Sequence, residues 1–299
     1  MGRILVITLS NLGDVVMTTP VFEALRVAYP ASVIDVLADK RSSGILSGAP
    51  YLGRVFHREK KGGLVKTIRL IAELRKTYYD VIVDLRTNLI PLVLRANKNI
   101  FKSKRVSTAQ HSVEEHYEGI LTLDGVTSTP PHCRLYVEDN AKEKARCLIK
   151  SLAGKKLLAI GPGANWPGKI WPAERFEEVV IDLETHFDGV IQLGSEGEGI
   201  VFSGEVNMPH LDLTGKTNLS TLKAVIKSCH LFIGNDSGIG HVAAALGKPS
   251  LTVFGVGDPE RYLPWGGQSV AITEPSKDLR RLKSSRVSNA AKLLIEGFL

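Results

Sequence analysis

The chain of 299 residues is poor in cysteine, in aromatic side chains and in long hydrophobic runs. Its three cysteines, Cys133, Cys147 and Cys229, are odd in number and share no metal-like spacing, which argues against a disulfide framework and against a zinc site. The longest apolar runs, such as residues 4–9, fall far short of the ~18 residues that a membrane span needs. The N-terminal stretch also turns polar too early for a signal peptide. We therefore expect a cytoplasmic protein in a reducing compartment.

Two kinds of motif are also missing from the sequence. Neither Asp-x-Asp nor His-Glu-x-x-His occurs, so no pattern predicts a divalent metal held on a diphosphate. We expect no metal cofactor, and protein groups would have to neutralise a departing nucleotide diphosphate. Aromatic residues are only 6% of the chain and few lie among the basic ones, which disfavours nucleic acid as a partner.

The positive charge of the chain is distributed unevenly. The net charge is +7, yet residues 1–150 hold 23 Lys and Arg against 15 Asp and Glu, while residues 151–299 hold 15 against 16. A basic surface attracts nucleic acid, anionic membrane or an anionic substrate equally well. Alternatively, these charges form a solvated face that maintains solubility.

Apolar, β-branched segments alternate with amphipathic helical patterns twice along the chain, which is typical of βαβ units in parallel sheets. We expect an α/β protein with two Rossmann-like, doubly wound parallel-sheet domains, residues 1–150 and 151–285, facing across a ligand cleft. A last helix within 286–299 could pack back on the first domain. The stretch 127–131 and the polar run 138–144 are expected to interrupt the pattern. Strands are predicted over residues 3–9, 33–37, 81–85, 157–160, 190–193, 231–233 and 251–254.

The first candidate motif, Ser-Asn-Leu-Gly-Asp at residues 10–14, lies between the first predicted strand and a helix. Gly13 permits a tight turn, and a carboxylate placed after a parallel strand points to the ligand-binding end of the sheet. Asp14 is therefore a candidate general base. Alternatively, Asp14 only caps the helix, since Asp suits the free amides and the dipole at a helix N-terminus.

The second motif is a glycine- and proline-rich loop over residues 161–172, between a strand and a helix. Lys169 in this loop is a candidate phosphate ligand, although the loop is not a Walker A sequence. An ordinary surface lysine is the alternative.

The third motif, Gly-Asn-Asp-Ser-Gly-Ile-Gly-His at residues 234–241, precedes a helix of small residues. The backbone amides at that helix start can hold an anion, with Ser237 and His241 as donors and Asp236 as an acceptor. Residues 238–243 also fit G-x-G-x-x-A, a weak indication of a dinucleotide fold that lies too late in its domain for the usual fingerprint. For His241 a structural hydrogen bond is the alternative.

The fourth motif follows another strand of the second domain and contains two glutamates. Either Glu196 or Glu198 could accept hydrogen bonds from a ribose diol, or could simply lie at the start of the following helix.

Taken together, these motifs resemble glycosyltransferase family 9, the ADP-heptose lipopolysaccharide heptosyltransferases, over nearly the whole chain. The resemblance rests on Gly13-Asp14-Val15, on Pro162-Gly163-Ala164 leading to Lys169 and Trp171-Pro172, and on Asp236-Ser237-Gly238 with His241. It implies the GT-B architecture, Asp14 as the catalytic base and Lys169 as the diphosphate ligand. The loop before Lys169 is shorter than in some members and lacks the threonine pair of others. Donor-binding residues are expected at Gly13, Ala164, Asn165, Lys169, Glu198, Thr217, Asp236, Ser237, Gly238 and His241.

The resemblance also gives the basic first half an expected partner, an anionic lipid saccharide at the inner face of the cytoplasmic membrane. His116 and the tyrosine after it could contact a sugar or could be core residues. The candidate acceptor-binding residues are Arg58, Lys60, Lys61, Lys98, Lys102, Lys104, Arg105 and His116.

The predicted function is an inverting, metal-independent transfer of heptose from ADP-heptose to the inner core of lipopolysaccharide, by a monomer that is at most peripheral to the membrane. One alternative is a GT-B transferase that uses another nucleotide sugar, such as a UDP-sugar. A less favoured alternative is an NAD-dependent oxidoreductase built on residues 238–243.

Overall fold

A computed structural model describes residues 2–58, 63–86, 89–102 and 109–297. The chain divides into two compact units, Met1–Tyr136 and Val137–Leu299. Each unit contains one parallel sheet with helices, as the alternating pattern predicts.

The sheet of the first unit has five parallel strands in the order β3-β2-β1-β4-β5. The central strand β1 is buried because helices cover both faces of a parallel sheet, and it places Ile4 beside Ile34 and Val81. One side of this sheet carries a core cluster that includes Leu5, Ile82 and Leu74. The strands are β1 (Arg3–Ile7), β2 (Val33–Ala38), β3 (Leu52–His57), β4 (Tyr79–Asp84) and β5 (Ala96–Phe101), and the helices are α1 (Leu12–Met17), α2 (Thr19–Ala28), α3 (Gly63–Leu74) and α4 (Ser112–Glu118).

The sheet of the second unit has six parallel strands in the order β11-β10-β9-β6-β7-β8. Its core lies around Trp171 and Phe176, whose rings meet edge to face at 5.0 Å between centroids. The strands are β6 (Leu157–Gly161), β7 (Gly189–Gln192), β8 (His210–Asp212), β9 (Leu231–Asn235), β10 (Ser250–Phe254) and β11 (Ser269–Thr273), and the helices are α5 (Asp139–Leu148), α6 (Ala173–Asp182), α7 (Leu219–Ser228), α8 (Gly238–Ala245), α9 (Pro259–Tyr262) and α10 (Ser284–Glu296).

The division between the units lies earlier than the expected residue 150. The polar run 138–144, expected to interrupt the pattern, instead begins helix α5, which buries only Ala141 and Ala145 and packs on α7 of the second unit. Five of its other positions are charged, so the narrow small-residue stripe gives a weak sequence signal.

The last helix, α10, packs on α6 and β10 of the second unit. Val287, Ala291 and Leu294 are buried there in the core cluster of that unit. The sequence suggested that this helix could pack back on the first domain. It packs on the second unit instead, because its apolar stripe lies against this core.

Each sheet changes direction beside its first strand, and this positions the candidate motifs. In the first sheet β1 lies between β2 and β4, and in the second β6 lies between β7 and β9. In open α/β sheets ligands bind beyond the carboxyl ends of the strands at such a switch point. The Asp14 segment follows β1, the Lys169 loop follows β6 and the segment from Asp236 to His241 follows β9.

Helix α7 buries a lysine completely, which leads to a prediction about pH. Burial lowers the pKa of Lys223 to about 8, while the charge of Glu138 partly opposes this shift. Between about pH 8 and the ordinary value of 10.5 the unfolded chain holds a proton that the folded chain has lost, so stability should rise with pH. We expect the free energy of unfolding of the wild type to gain roughly 1–2 kcal/mol over this range relative to Lys223→Met. Urea unfolding at several pH values across this range measures the free energy of unfolding of the wild type, of Lys223→Met and of the exposed control Lys150→Met. The same pH dependence in all three proteins would contradict the prediction.

Candidate functional site

The loop after β6 is fixed in place by one buried amide. Asn235, at the end of β9, is fully buried; its Nδ2 donates to the carbonyl of Pro162 at 2.5 Å, and its Oδ1 accepts from the backbone N–H of Trp171 at 3.1 Å. The Trp171 indole N–H donates to the carbonyl of Leu282 at 3.2 Å. Both ends of the loop are thus tied to β9. The sequence analysis assigned no role to Asn235, although an amide closing an otherwise apolar strand is a signal for such a tie.

Lys169 projects from this loop to a buried carboxylate. Its Nζ lies 2.6 Å from Oδ2 of Asp236, whose side chain is only 6% exposed, whereas that of Lys169 is 31% exposed. The segment after β10 packs closely on both residues, because a Cβ at Gly257 would collide with the Asp236 carboxylate and one at Gly255 with the carbonyl of Gly168. Lys169 is therefore not an unattached surface lysine but a cation held at the switch point.

Helix α8 begins beside this ion pair. Ser237 is its N-cap and Gly238 its first residue, so the free amides of the first turn lie next to Asp236. The Ser237 Oγ is buried and has no hydrogen-bond partner among the residues that the structure describes. His241 lies one turn further on and is also buried. This end of the second sheet thus combines a cation, helix amides and a hydroxyl available to a ligand.

Glu198 lies against the same loop, and Glu196 does not. Oε2 of Glu198 accepts from the backbone N–H of Ser195 at 2.6 Å and lies where a Cβ at Gly163 or Gly194 would collide with it. Glu196 is exposed and packs beside Gly215. Of the two glutamates, Glu198 is the one that the fold brings to the Lys169 loop.

The other expected donor residues occupy more open positions. Ala164 is half-buried and Asn165 exposed, both in the Lys169 loop. Thr217 is half-buried and directly precedes Asn218, which caps α7 by accepting from Thr221 N at 2.9 Å. Gly13 lies in α1 of the first unit, so it is not brought together with the others within one sheet end.

Asp14 is half-buried in the first turn of α1. Its Oδ2 accepts from Nδ2 of Asn11 at 2.9 Å, and within the described chain no backbone N–H of α1 donates to this carboxylate. Asp14 therefore does not cap its own helix through a side-chain hydrogen bond.

The candidate acceptor residues fall into three groups. Arg58 is exposed after β3, and its charge together with burial lowers the pKa of the half-buried Arg86, a residue that the sequence analysis did not single out. Lys98 donates to the carbonyl of Thr122 at 2.8 Å, Lys102 forms a 2.6 Å ion pair with Glu115, and His116 is buried. Lys60, Lys61, Lys104 and Arg105 lie outside the described residues.

Two searches of the described residues found nothing. No helix there combines the length and the apolar character that a membrane span requires. The same residues contain no group of three or more His, Cys, Asp or Glu side chains arranged to hold a metal ion.

The two parallel-sheet domains, with polar loops at the carboxyl ends of their strands, have the architecture of the GT-B fold, and solved structures share it. A glycosyl transferase of family 9 from Veillonella parvula superimposes with a TM-score of 0.86 at 22% identity, covering 99% of this chain and 97% of that one. The Escherichia coli heptosyltransferase WaaC, solved with ADP, gives a TM-score of 0.79 at 18% identity over 98% and 99% of the two chains. The predicted fold class is confirmed.

The sequence model of glycosyltransferase family 9 (heptosyltransferase) matches residues 67–290. Lipopolysaccharide heptosyltransferase 3 of Escherichia coli K12 is 27% identical over 284 residues, which cover 85% of this chain and 82% of that protein. The chain belongs to glycosyltransferase family 9, and the predicted resemblance is confirmed.

Proposed function

We propose that this glycosyltransferase moves heptose from ADP-heptose to the inner core of lipopolysaccharide, with inversion and without a metal. The observation that carries the proposal is the Lys169–Asp236 pair beside the start of α8 at the switch point of the second sheet. One relative named above is a lipopolysaccharide heptosyltransferase, and a second protein, the heptosyltransferase WaaC, was solved with ADP. Both names support this donor and this acceptor.

On the donor side, the protein supplies the charge that a leaving diphosphate requires. Lys169 and the amides of the first turn of α8 hold the diphosphate, and the Ser237 hydroxyl donates to one of its oxygens. These donors are fixed before the reaction, because Asn235 anchors the loop and α8 holds its own backbone. Glu198 accepts hydrogen bonds from the ribose hydroxyls. Ala164, Asn165, Thr217, Gly238 and His241 complete the proposed donor site.

On the acceptor side, Asp14 is the proposed base. It removes the proton from the acceptor hydroxyl while that oxygen forms a bond to the anomeric carbon. The bond from that carbon to the diphosphate breaks, and ADP leaves with the electron pair. One displacement from the opposite side inverts the anomeric centre.

The cations of the first unit are proposed to bind the anionic acceptor. Burial, and after it repulsion by Arg58, lowers the pKa of Arg86, although Asp39 and Asp84 partly compensate. An anionic group between the two arginines would relieve that repulsion. We propose that the enzyme acts as a cytoplasmic monomer, peripheral to the inner membrane face.

Lys169→Ala is expected to weaken the binding of ADP by roughly 10- to 100-fold, because the diphosphate loses a charge-assisted hydrogen bond. Isothermal titration calorimetry with ADP measures this loss. Lys155→Ala, which removes another lysine of the same unit, is the control and should bind as the wild type does. An unchanged affinity of Lys169→Ala would exclude Lys169 from the diphosphate site.

The donor assignment is tested by thermal unfolding with ADP, UDP, GDP, CDP and NAD in turn. A ligand at about 100 times its Kd adds ~2.7 kcal/mol, which raises Tm by a few degrees. We expect ADP alone to give this shift and Glu198→Ala to reduce it. A shift with UDP alone would replace the donor by a UDP-sugar, and a shift with NAD alone would contradict transfer chemistry.

A further inference from the structure

Helix α3 of the first unit has two apolar faces, and the residues that the structure describes cover one of them. Leu74 is buried and Leu70 packs on the core cluster of this unit. Leu64, Val65 and Ile68 are 76%, 63% and 55% exposed. Isolated exposed apolar residues are ordinary, but three in one turn of a helix form a patch that calls for a partner.

The spacing of these three residues makes them one stripe. At 3.6 residues per turn, Leu64 and Ile68 lie one above the other and Val65 lies beside them. Lys66 and Arg69 lie on the helix between this stripe and Leu70, which packs on the core. The helix is thus basic and amphipathic, with an outward apolar stripe in addition to its core face.

A second exposed apolar group lies on the same side of the sheet. The short 3-10 helix Ile90–Val93 follows β4, and its Ile90 packs in the same core cluster as Leu74. Leu89, Leu92 and Val93 are 76%, 63% and 43% exposed. Both elements rest on one core cluster, and we call their exposed apolar side chains together the α3 face.

The α3 face borders a basic cavity. Three cations from two elements, Arg58 after β3 and Lys66 and Arg69 on α3, line this cavity of about 180 Å³. His57, Thr67 and Leu70 form the rest of its wall. In the sequence, residues 54–76 hold eight Lys and Arg against two Glu.

We propose that the α3 face docks the protein on the surface of an anionic phospholipid bilayer. Leu64, Val65 and Ile68 enter the boundary between headgroups and acyl chains, while Lys66 and Arg69 bind headgroup phosphates. Charge complementarity favours this occupant over a second copy of the chain, because two copies would bring the same basic helices together. The inference that docking brings the enzyme to a lipid-borne acceptor rests on the proposed function. The docking itself does not rest on it.

The test is flotation of the full chain with vesicles of phosphatidylcholine, with and without phosphatidylglycerol, in the absence of any substrate. We expect binding only where phosphatidylglycerol is present. Leu64→Ser/Val65→Ser/Ile68→Ser should weaken it roughly 10-fold or more, through the lost apolar area. Lys66→Gln/Arg69→Gln should weaken it by a similar factor, because each cation near such a surface contributes about 1 kcal/mol.

Matched controls remove the same chemistry elsewhere. Val27→Ser/Leu121→Ser/Val201→Ser removes three other exposed apolar side chains, and Lys144→Gln/Lys150→Gln removes two exposed cations of the second unit. Both should bind vesicles as the wild type does. All the substituted side chains, apolar and cationic, are exposed, so Tm should change little. Unfolding curves verify that each variant is folded.

Three results would overturn the proposal. The proposal is wrong if the wild type binds neutral vesicles equally well, or if both α3 variants bind vesicles as the wild type does. It is also wrong if gel filtration shows a concentration-dependent dimer that the triple serine variant abolishes. A wild type that binds vesicles but transfers no sugar would contradict the proposed function and leave the docking intact. A wild type that transfers sugar to a delipidated, water-soluble acceptor but binds no vesicles would contradict the docking and leave the proposed function intact.

Discussion

Asp14→Asn is expected to bind ADP as the wild type does and to turn over roughly 100-fold more slowly or worse. An amide has nearly the shape of a carboxylate but takes up no proton, so the chemical step alone should suffer. In the wild type Nδ2 of Asn11 donates to Oδ2 of Asp14 at 2.9 Å and orients that side chain. The amide oxygen of the asparagine can still accept this hydrogen bond. The substitution therefore leaves the local structure of α1 unchanged.

Two measurements separate this outcome from the alternatives. Initial rates with ADP-heptose give the turnover, and calorimetry with ADP gives the binding. Asp139→Asn, which changes an exposed carboxylate of α5, is the matched control and should leave both unchanged. Turnover of Asp14→Asn close to that of the wild type would mean that another group accepts the proton, and loss of ADP binding would mean that Asp14 supports the fold rather than the reaction.

The central strands of both sheets could be predicted from the sequence because burial on both faces requires continuous apolar runs. The edge strands β3 and β5 were missed for the opposite reason. They are largely half-buried or exposed and carry residues such as Gly53 and Asn97, so their apolar signal is weak. Helix α5 was missed because its buried stripe consists of two alanines.

The candidate site could be predicted as motifs but not as contacts. Lys169 and Asp236 were both singled out, yet nothing in a linear pattern indicates that they form an ion pair across 67 positions. Asp236 was expected to accept from a ligand, and the structure in addition pairs it with Lys169. The two glutamates were equivalent in sequence, and only the close approach to Gly163 and Gly194 distinguishes Glu198.

The same limit applies to the basic residues of the first unit, since a charge count does not tell a structural cation from a binding one. Arg3 and Arg54 both belong to the positive excess, and both bind one buried carboxylate, that of Asp35 on β2. Arg3 Nη1 donates to both oxygens of Asp35, at 2.9 and 3.0 Å. The backbone N–H and Nη2 of Arg54 donate to them at 2.8 and 3.2 Å. These two cations hold β1 and β3 to β2 and are not available to an acceptor.

This arrangement predicts an asymmetry between its partners. Asp35 is completely buried, whereas the side chains of Arg3 and Arg54 are 38% and 42% exposed. Arg3→Met/Arg54→Met leaves a carboxylate buried without a cation and should lower the free energy of unfolding by about 3–5 kcal/mol. Asp35→Ala leaves two guanidinium groups that water can still reach, so its cost should be smaller, roughly 2–3 kcal/mol for the lost hydrogen bonds and the unpaired N–H of Arg54.

Urea unfolding of both variants measures this difference. Arg146→Met, whose partner Glu143 is exposed, is the control and should change the stability by less than about 0.5 kcal/mol. If the double arginine variant is no less stable than Asp35→Ala, then the uncompensated buried charge does not dominate, and packing of the three strands rather than electrostatics maintains this end of the sheet. If the order is as expected, Arg3 and Arg54 are required by the fold through Asp35, and an anionic partner of this unit must be bound by other cations.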